Sequence, residues 1–335
     1  MKKSLIALAA LAATASFAQS SVTIKGTFDP SFVVQKDTYS NGNSVTNTGL
    51  QNNRQGTSQV TFLGTEDLGG GLKASFLIES DFDATKQGNT NFGSKGGETY
   101  VGLSGNFGSI KLGAPNAPTL TTQTAANPFS TKIGGGFGAM NASHVRNDNT
   151  IRYDTPVFSG FSAAAAYSSK TKNSSDVVTT ADITDIGLFY ANGPLAIGYT
   201  NYKVSGISGA ANNVQNNAYV TYDLGMAKIG AGYYTEKDGA PASSTVASGF
   251  TDSKAYNVSV SVPLGATTLM ANYGKKDDRS AANNDRTVGA IGAKYALSKR
   301  TSLYGRLVSD KIDGTVNAAL AAKSTYTIVG MQHDF

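Results

Sequence analysis

From Thr57 to Asp83 the chain reads TSQVTFLGTEDLGGGLKASFLIESDFD and alternates apolar with polar residues. Successive strand residues point to opposite faces, so after Leu72 one face collects Leu72, Ala74, Phe76, Ile78, Ser80 and Phe82. The other collects Lys73, Ser75, Leu77, Glu79, Asp81 and Asp83, where only Leu77 departs from the pattern. Before the turn, Val60 and Phe62 fall on the first face and Gln59, Thr61 and Thr65 on the second, with Leu63 an apolar residue on the polar side. Asp67 to Gly71 supplies the turn, because glycine reaches positive φ without steric cost. A run of about ten alternating residues exceeds the five or six usual in soluble strands. It matches the roughly 9 to 11 residues that a tilted strand needs to cross a bilayer. The pattern predicts an all-β transmembrane barrel with lipid outside and water inside.

Composition agrees. Glycine is 38 of 335 residues, well above the usual share of about 7%, and charged residues are 15% against about 25%. No apolar run reaches 18 residues, which excludes a membrane protein built of helices. The N-terminus has the order of an export signal: Lys2 and Lys3, an apolar stretch from Leu5 to Ala13, and small Ser16 and Ala18 at the cleavage positions. Residues 1–18 are therefore expected to be removed, leaving 19–335 as one barrel domain. Losing Lys2 and Lys3 takes the formal charge from +5 to +3, too little for a nucleic-acid partner, which calls for a clustered basic stripe. With no cysteine there is no disulfide framework and no thiolate metal site.

Seven short turns recur: Asp67 to Gly71, Gly105 to Gly108, Pro156 to Gly160, Ala191 to Pro194, Asp223 to Met226, Pro263 to Ala266 and Leu297 to Arg300. Seven turns join eight hairpins, so sixteen antiparallel strands are expected, with short turns at one rim and long polar loops at the other. The first strand is read as Ser21 to Gln35, with Val22, Ile24, Phe28, Phe32 and Val34 outward and Lys25 and Asp29 inward. Asp37 to Gly56 is read as a loop. The last strand, Ser324 to Phe335, would pair with the first and close the sheet, leaving no edge in lipid. The loop Pro115 to Asn149 is about 35 residues long and carries Phe129, Ile133, Phe137 and Met140, so it is expected to fold into the barrel and narrow it.

The runs GTEDLGGGLKA (Gly64 to Ala74), VGLSGNFGSIKLG (Val101 to Gly113), IRYDTPVFSGF (Ile151 to Phe161), LSKRTSLYG (Leu297 to Gly305) and the terminal His333-Asp334-Phe335 occur in one order. In that set and order the chain resembles the trimeric general porins of Gram-negative bacteria. The resemblance implies a sixteen-stranded antiparallel transmembrane β-barrel, a homotrimer in the cell outer membrane, and an inward-folded third loop. It also implies contact with outer-membrane lipid and lipopolysaccharide, and a terminal Phe335 read by the outer-membrane assembly machinery. The anion-selective branch of that family lines its constriction with arginines. At matching positions this chain has Gln59, Glu98 and Ala114, while Arg146 and Arg152 match.

Other motifs carry little. Gly134-Gly-Gly136-Phe-Gly-Ala139 fits a dinucleotide pattern by letter but lacks the strand before it and the helix after it. The two histidines, His144 and His333, have no nucleophile elbow and too few companions for zinc. No cofactor, metal or enzymatic activity is expected. Tyr153, Tyr190, Tyr222 and Phe335 fit an aromatic girdle near the short turns. The expected function is passive diffusion of ions and small hydrophilic solutes through a water-filled channel. The alternatives are a plugged adhesive barrel and a barrel-borne hydrolase. Expected pore-lining groups are Lys25, Gln59, Glu79, Asp81, Glu98, Lys111, Arg146, Arg152 and Arg306, with Asp83 and Asp154 as further inward acids. Their near balance predicts weak charge selectivity with Glu98 opposing the arginines.

Overall fold

The computed structural model describes residues 21–87, 96–136, 145–171, 180–205, 211–237, 252–279, 284–313 and 321–335. Met1 to Ala18, Phe137, Met140 and His144 lie outside the described residues. Eighteen strand segments form a single antiparallel sheet. Two pairs of segments are each one interrupted strand, so the barrel has sixteen. Strand β1 runs Ser21–Phe28 and resumes as Pro30–Tyr39, and β2 runs Ser44–Asn52 and resumes as Gln59–Gly69. Then follow β3 Leu72–Asp81, β4 Gly96–Gly105, β5 Gly108–Ala114, β6 Thr150–Asp154, β7 Phe161–Ser168 and β8 Ile183–Asn192. The second half comprises β9 Leu195–Val204, β10 Asn213–Asp223, β11 Lys228–Lys237, β12 Asp252–Leu264, β13 Thr267–Asp278, β14 Arg286–Ala296, β15 Thr301–Ile312 and β16 Ala321–Asp334.

The sheet closes where β16 pairs with β1, from Ala321 opposite Tyr39 to Asp334 opposite Thr27. The seven short turns fall where the glycine and proline signals put them. The segment Asp37 to Gly56 differs from its reading as a loop: β1 continues to Tyr39, and Ser44–Asn52 pairs with it.

The interruption has a local cause. Pro30 has no N–H to donate, so the ladder breaks beside it. The neighbouring Asp29 is completely buried and turns its carboxylate to the gap in β2, accepting the N–H groups of Gln55 (2.7 Å) and Gly56 (2.8 Å) and the Tyr304 hydroxyl (2.6 Å). Residues 53–58 are thereby drawn out of the ladder on the lumen side.

Outward side chains are apolar and exposed, as Val22 (66%), Leu188 (58%) and Val329 (63%) show, whereas inward Val33 and Tyr234 are at 0%. Tyr153, Phe161, Tyr222 and Phe335 stand outward near the short turns, with Tyr190 stacked on Phe161 at 4.5 Å. Tyr167, Tyr199, Tyr233, Tyr256 and Tyr273 form a second outward set toward the long loops. Two aromatic rims flanking an apolar band are what a barrel wall in lipid requires.

Candidate pore and its inward loop

After β5 the chain leaves the wall at Pro115 and returns at Asn149. Its first regular element is helix α1, Pro118–Ala125. Proline at the start suits a helix, because the missing N–H has no intrahelical partner there. Ala117 at the N-cap supplies no side-chain bond. The wall supplies it instead: Asp185 on β8 accepts the Thr119 N–H and Oγ1–H, both at 2.8 Å. Thr119, Thr122 and Gln123 are completely buried.

Beyond the helix the loop runs round the inner wall toward β1. Asn257 Nδ2 (3.0 Å) and Ser259 Oγ (2.7 Å) on β12 donate to the Ala126 carbonyl, and Asn272 Nδ2 on β13 donates to the Gly134 carbonyl at 3.1 Å. Phe129 packs among Tyr234, Ala255, Met270, Val288, Ala290 and Val308, and Ile133 reaches Val33 and Ile328. Gly134 has φ +82°, and a Cβ there would stand 2.7 Å from Ala290; one on Gly136 would stand 2.6 Å from Asn257. The glycine run therefore lets loop backbone lie against the wall, which accounts for a pattern that only by letter resembles a nucleotide motif.

Arg306 on β15 fastens the far end. Its guanidinium donates to the Ile133 carbonyl and Gln55 Oε1, both at 2.6 Å, and stacks 4.4 Å from the centroid of Phe129. Arg306 is thus inward but only 3% exposed, covered by the loop it holds. Lys132 reaches across to Thr57 Oγ1 at 2.8 Å, and burial holds its ammonium below the ordinary lysine range.

The base of the loop gathers most of the remaining residues. Glu98 accepts the backbone N–H (3.0 Å) and Nδ2 (3.1 Å) of Asn116. Arg146 donates to Asn116 Oδ1 at 2.9 Å and to the Gly96 carbonyl, and lies 3.8 Å from Glu79 and 4.0 Å from Asp81. Gln59 donates to Glu79 at 2.6 Å. Arg152 pairs with Asp154 at 2.6 Å and donates to the Asn116 carbonyl. Lys111 lies 3.9 Å from Asp154 and 4.9 Å from the Tyr100 ring centroid. Lys25 faces inward opposite Thr61, which stands in turn opposite Glu79, so Lys25 lies two strands from that acid in the same row. Asp83 is tied to Thr85 and Lys86, and the Thr85 hydrogen bond pulls its carboxyl below the usual range. Phe335 exchanges backbone hydrogen bonds with Gly26 (3.1 and 3.0 Å), and its ring lies 6.0 Å from Phe28.

Four functional candidates escaped sequence reasoning: Arg54, Lys132, Arg286 and Asp185. The first three surround a polar cavity of about 260 Å³ together with Asn53, Thr131 and Asp310. Arg286 is compensated by Asp310, with contacts of 2.9 and 2.6 Å. Lys132 was the legible one, a cation between Phe129 and Ile133 in a loop read as internal.

The loop is held against the wall from β8 to β15 by Asp185, Asn257, Asn272 and Arg306, so it narrows the barrel from that side. Comparison with known proteins gives this geometry a family. The chain is 33% identical to outer membrane porin protein 32 of Delftia acidovorans, over 97% of this chain and 94% of that one. It is 31% identical to an outer membrane porin protein of Bordetella pertussis, over the whole of both. The anion-selective porin from Comamonas acidovorans superposes with a TM-score of 0.79 at 28% identity, covering 95% of this chain and all of that one. Residues 5–315 match the Gram-negative porin family, and the chain is a member of that family, an outer-membrane channel for passive diffusion.

Proposed function

We propose that solutes pass between the inward loop and the wall of β2 to β5, and that the facing charges there set a weak ion preference. On one side stand Glu79 and Asp81, tied to Arg146. On the other stand Lys132 and Arg54, with Arg286 neutralised by Asp310. The observation that carries this reading is the position of Lys132, which bridges from the loop to Thr57 at the edge of the passage. Charges in a wet lumen act over about one Debye length, roughly 8 Å, so the groups lining the narrow part dominate. Glu98 belongs less to the passage than to the loop base, because both its carboxylate oxygens are engaged by Asn116.

The working form on this reading is a homotrimer, exported by removal of residues 1–18 and assembled through the strand ending in Phe335. It works without catalysis. Planar-bilayer recording on the purified protein tests the reading: steady conductance steps with modest selectivity are expected, rising when the loop is shortened between Asn127 and Met140. Absence of conductance in repeated preparations would point to a plugged barrel instead.

A further inference from the structure

The side of helix α1 that meets the wall is polar rather than apolar. The helix packs on β8, β9 and β10, and buries Thr119, Thr122 and Gln123 completely. The strands contribute Thr200 on β9 and Asn217 on β10, a directly opposed inward pair that is also completely buried. Asp185 satisfies Thr119. The rest have no such provision: among the described residues Thr122 Oγ1, Thr200 Oγ1 and both amide heteroatoms of Gln123 and of Asn217 have no hydrogen-bond partner. Just past the helix, Asn127 Nδ2 is in the same condition, on a residue that is 7% exposed.

A buried donor or acceptor without a partner forfeits its hydration and gains nothing in return, so native structures keep such groups rare. Seven of these atoms on five residues at one contact call for a partner that is not a side chain. The seam offers an ion no counter-charge. The Asp185 carboxylate is engaged by Thr119, and Glu236 on β11 is engaged by Asn213, Gln215 and Ser253. Amides and hydroxyls side by side present donors and acceptors together, a mixture that suits water, which supplies both. At about three hydrogen bonds per buried water, seven atoms require about two to four waters. Space for them adjoins the helix end, in a cavity of about 200 Å³ lined by Ala125, Asn127, Thr221, Lys228, Ser259 and Ser261.

We propose that α1 rests on a layer of bound water held by Thr122, Gln123, Thr200 and Asn217 and supplied through the cavity at Asn127, so that the helix body shifts against the wall between two fixed ends. One fixed end is the Asp185–Thr119 contact, and the other is the Ala126 carbonyl, held by Asn257 and Ser259. Between them the side chains reach the wall through water, and a water bridge accommodates displacements that a direct hydrogen bond of fixed length does not. Farther along the loop the seat is of the opposite kind, with Phe129 packed dry among Tyr234, Ala255 and Met270. The loop therefore has one rigid portion and one that moves on water. The inference rests on the position of the helix and not on which charges set the ion preference.

The chain has no cysteine, so Thr200→Cys places a single thiol behind the helix. Thiols react as thiolates, and a thiol in dry apolar surroundings stays protonated and inert. The full-length protein in its native oligomeric state is treated with methyl methanethiosulfonate, which is small and uncharged, or with the bulkier cationic trimethylammonium-ethyl reagent. Lys25→Cys, exposed on the inner wall, is the control for access to the lumen. Both reagents should modify Lys25→Cys, and only the small one Thr200→Cys. Adding Gln123→Leu and Asn217→Leu fills the seam with apolar groups of similar size. Modification of Thr200→Cys should then slow about tenfold, the equivalent of roughly one hydrogen bond. In the leucine pair alone the heat-resistant oligomer should persist, because both sides of the seam become apolar together, and single-channel noise should fall. An unreactive Thr200→Cys beside the native Gln123 and Asn217 would overturn the proposal, since the seam would be dry. So would equal rates with both reagents, which would make the seam part of the open lumen, or a rate that the two leucines leave unchanged. Loss of the heat-resistant oligomer in the leucine pair would also overturn it, by showing that the two amides are partnered by protein.

Discussion

Asp185 and Thr119 join the barrel wall to the first turn of the internal helix through two 2.8 Å hydrogen bonds to one carboxylate. The unsatisfied N–H groups of a helix start and its positive dipole end favour a carboxylate there. Here the carboxylate comes from a strand 66 residues away rather than from the preceding residue. The helix is therefore ordered by its attachment, since eight residues alone are too few to hold a helix in water.

Asp185→Ala should loosen the loop while leaving the barrel intact. It removes both acceptors from buried donors, at a cost of about 1–3 kcal/mol each. Single-channel records should become noisier, with excursions to higher conductance. A quiet trace at wild-type conductance would show that the helix does not depend on this cap.

Arg306→Ala tests the opposite end of the loop. Its two hydrogen bonds and its place over Phe129 are lost together, and buried cation–π stacking alone is worth about 2 kcal/mol. Mean conductance should rise, because the segment from Phe129 to Ile133 is released into the lumen's wider part. Conductance below wild type would mean that the freed segment blocks the passage.

Much of the wall was legible because lipid imposes a rule on every second residue. Phe76, Ile78, Leu188 and Ile291 had to be apolar, and the turns had to carry residues tolerant of tight backbone. Ser44–Asn52 obeys no such rule: of its outward residues Ser44, Thr46, Thr48, Leu50 and Asn52 only Leu50 is apolar. Phe161–Ser168, FSAAAAYS, hides its period because alanine occupies both faces. The pore was less legible. Asn257, Asn272 and Arg306 meet the loop across 131 to 173 residues of sequence, and no local pattern records such pairings. Glu98 was readable as an inward acid, but its engagement by Asn116 depends on where the loop leaves the wall.

Gly26→Val should impair assembly more than conduction. A Cβ at Gly26 would stand 2.4 Å from the Phe335 ring and 2.5 Å from the Gln59 carbonyl, so strand closure and the terminal ring cannot both keep their places. Deleting Phe335 removes the same contact from the other side. Both changes should lower the yield of heat-resistant oligomer in the outer membrane, measured by unheated gel electrophoresis. Wild-type yield after the Phe335 deletion would remove the terminal residue from any role in assembly.

Lys132 offers the sharpest test of the passage. Its burial, opposed by Asp29 and Asp81, holds the folded-state pKa below the unfolded value. Folding therefore disfavours its proton: the penalty is fully present below the folded pKa and is relieved as pH rises from there toward the unfolded one. This group alone should make the protein slightly more stable with alkaline pH, while its charge at the passage disappears. Anion preference, read as reversal potential in a salt gradient, should accordingly fall at alkaline pH, starting below the range where an ordinary lysine titrates. Lys132→Glu should move the reversal potential toward cations at neutral pH and abolish this alkaline step. Asp81→Asn should move it toward anions. Glu98→Gln should act mainly through the loop base, changing noise more than reversal potential. If Lys132→Glu leaves the reversal potential unchanged while Glu98→Gln shifts it, the selecting charges lie at the loop base and not at its far end.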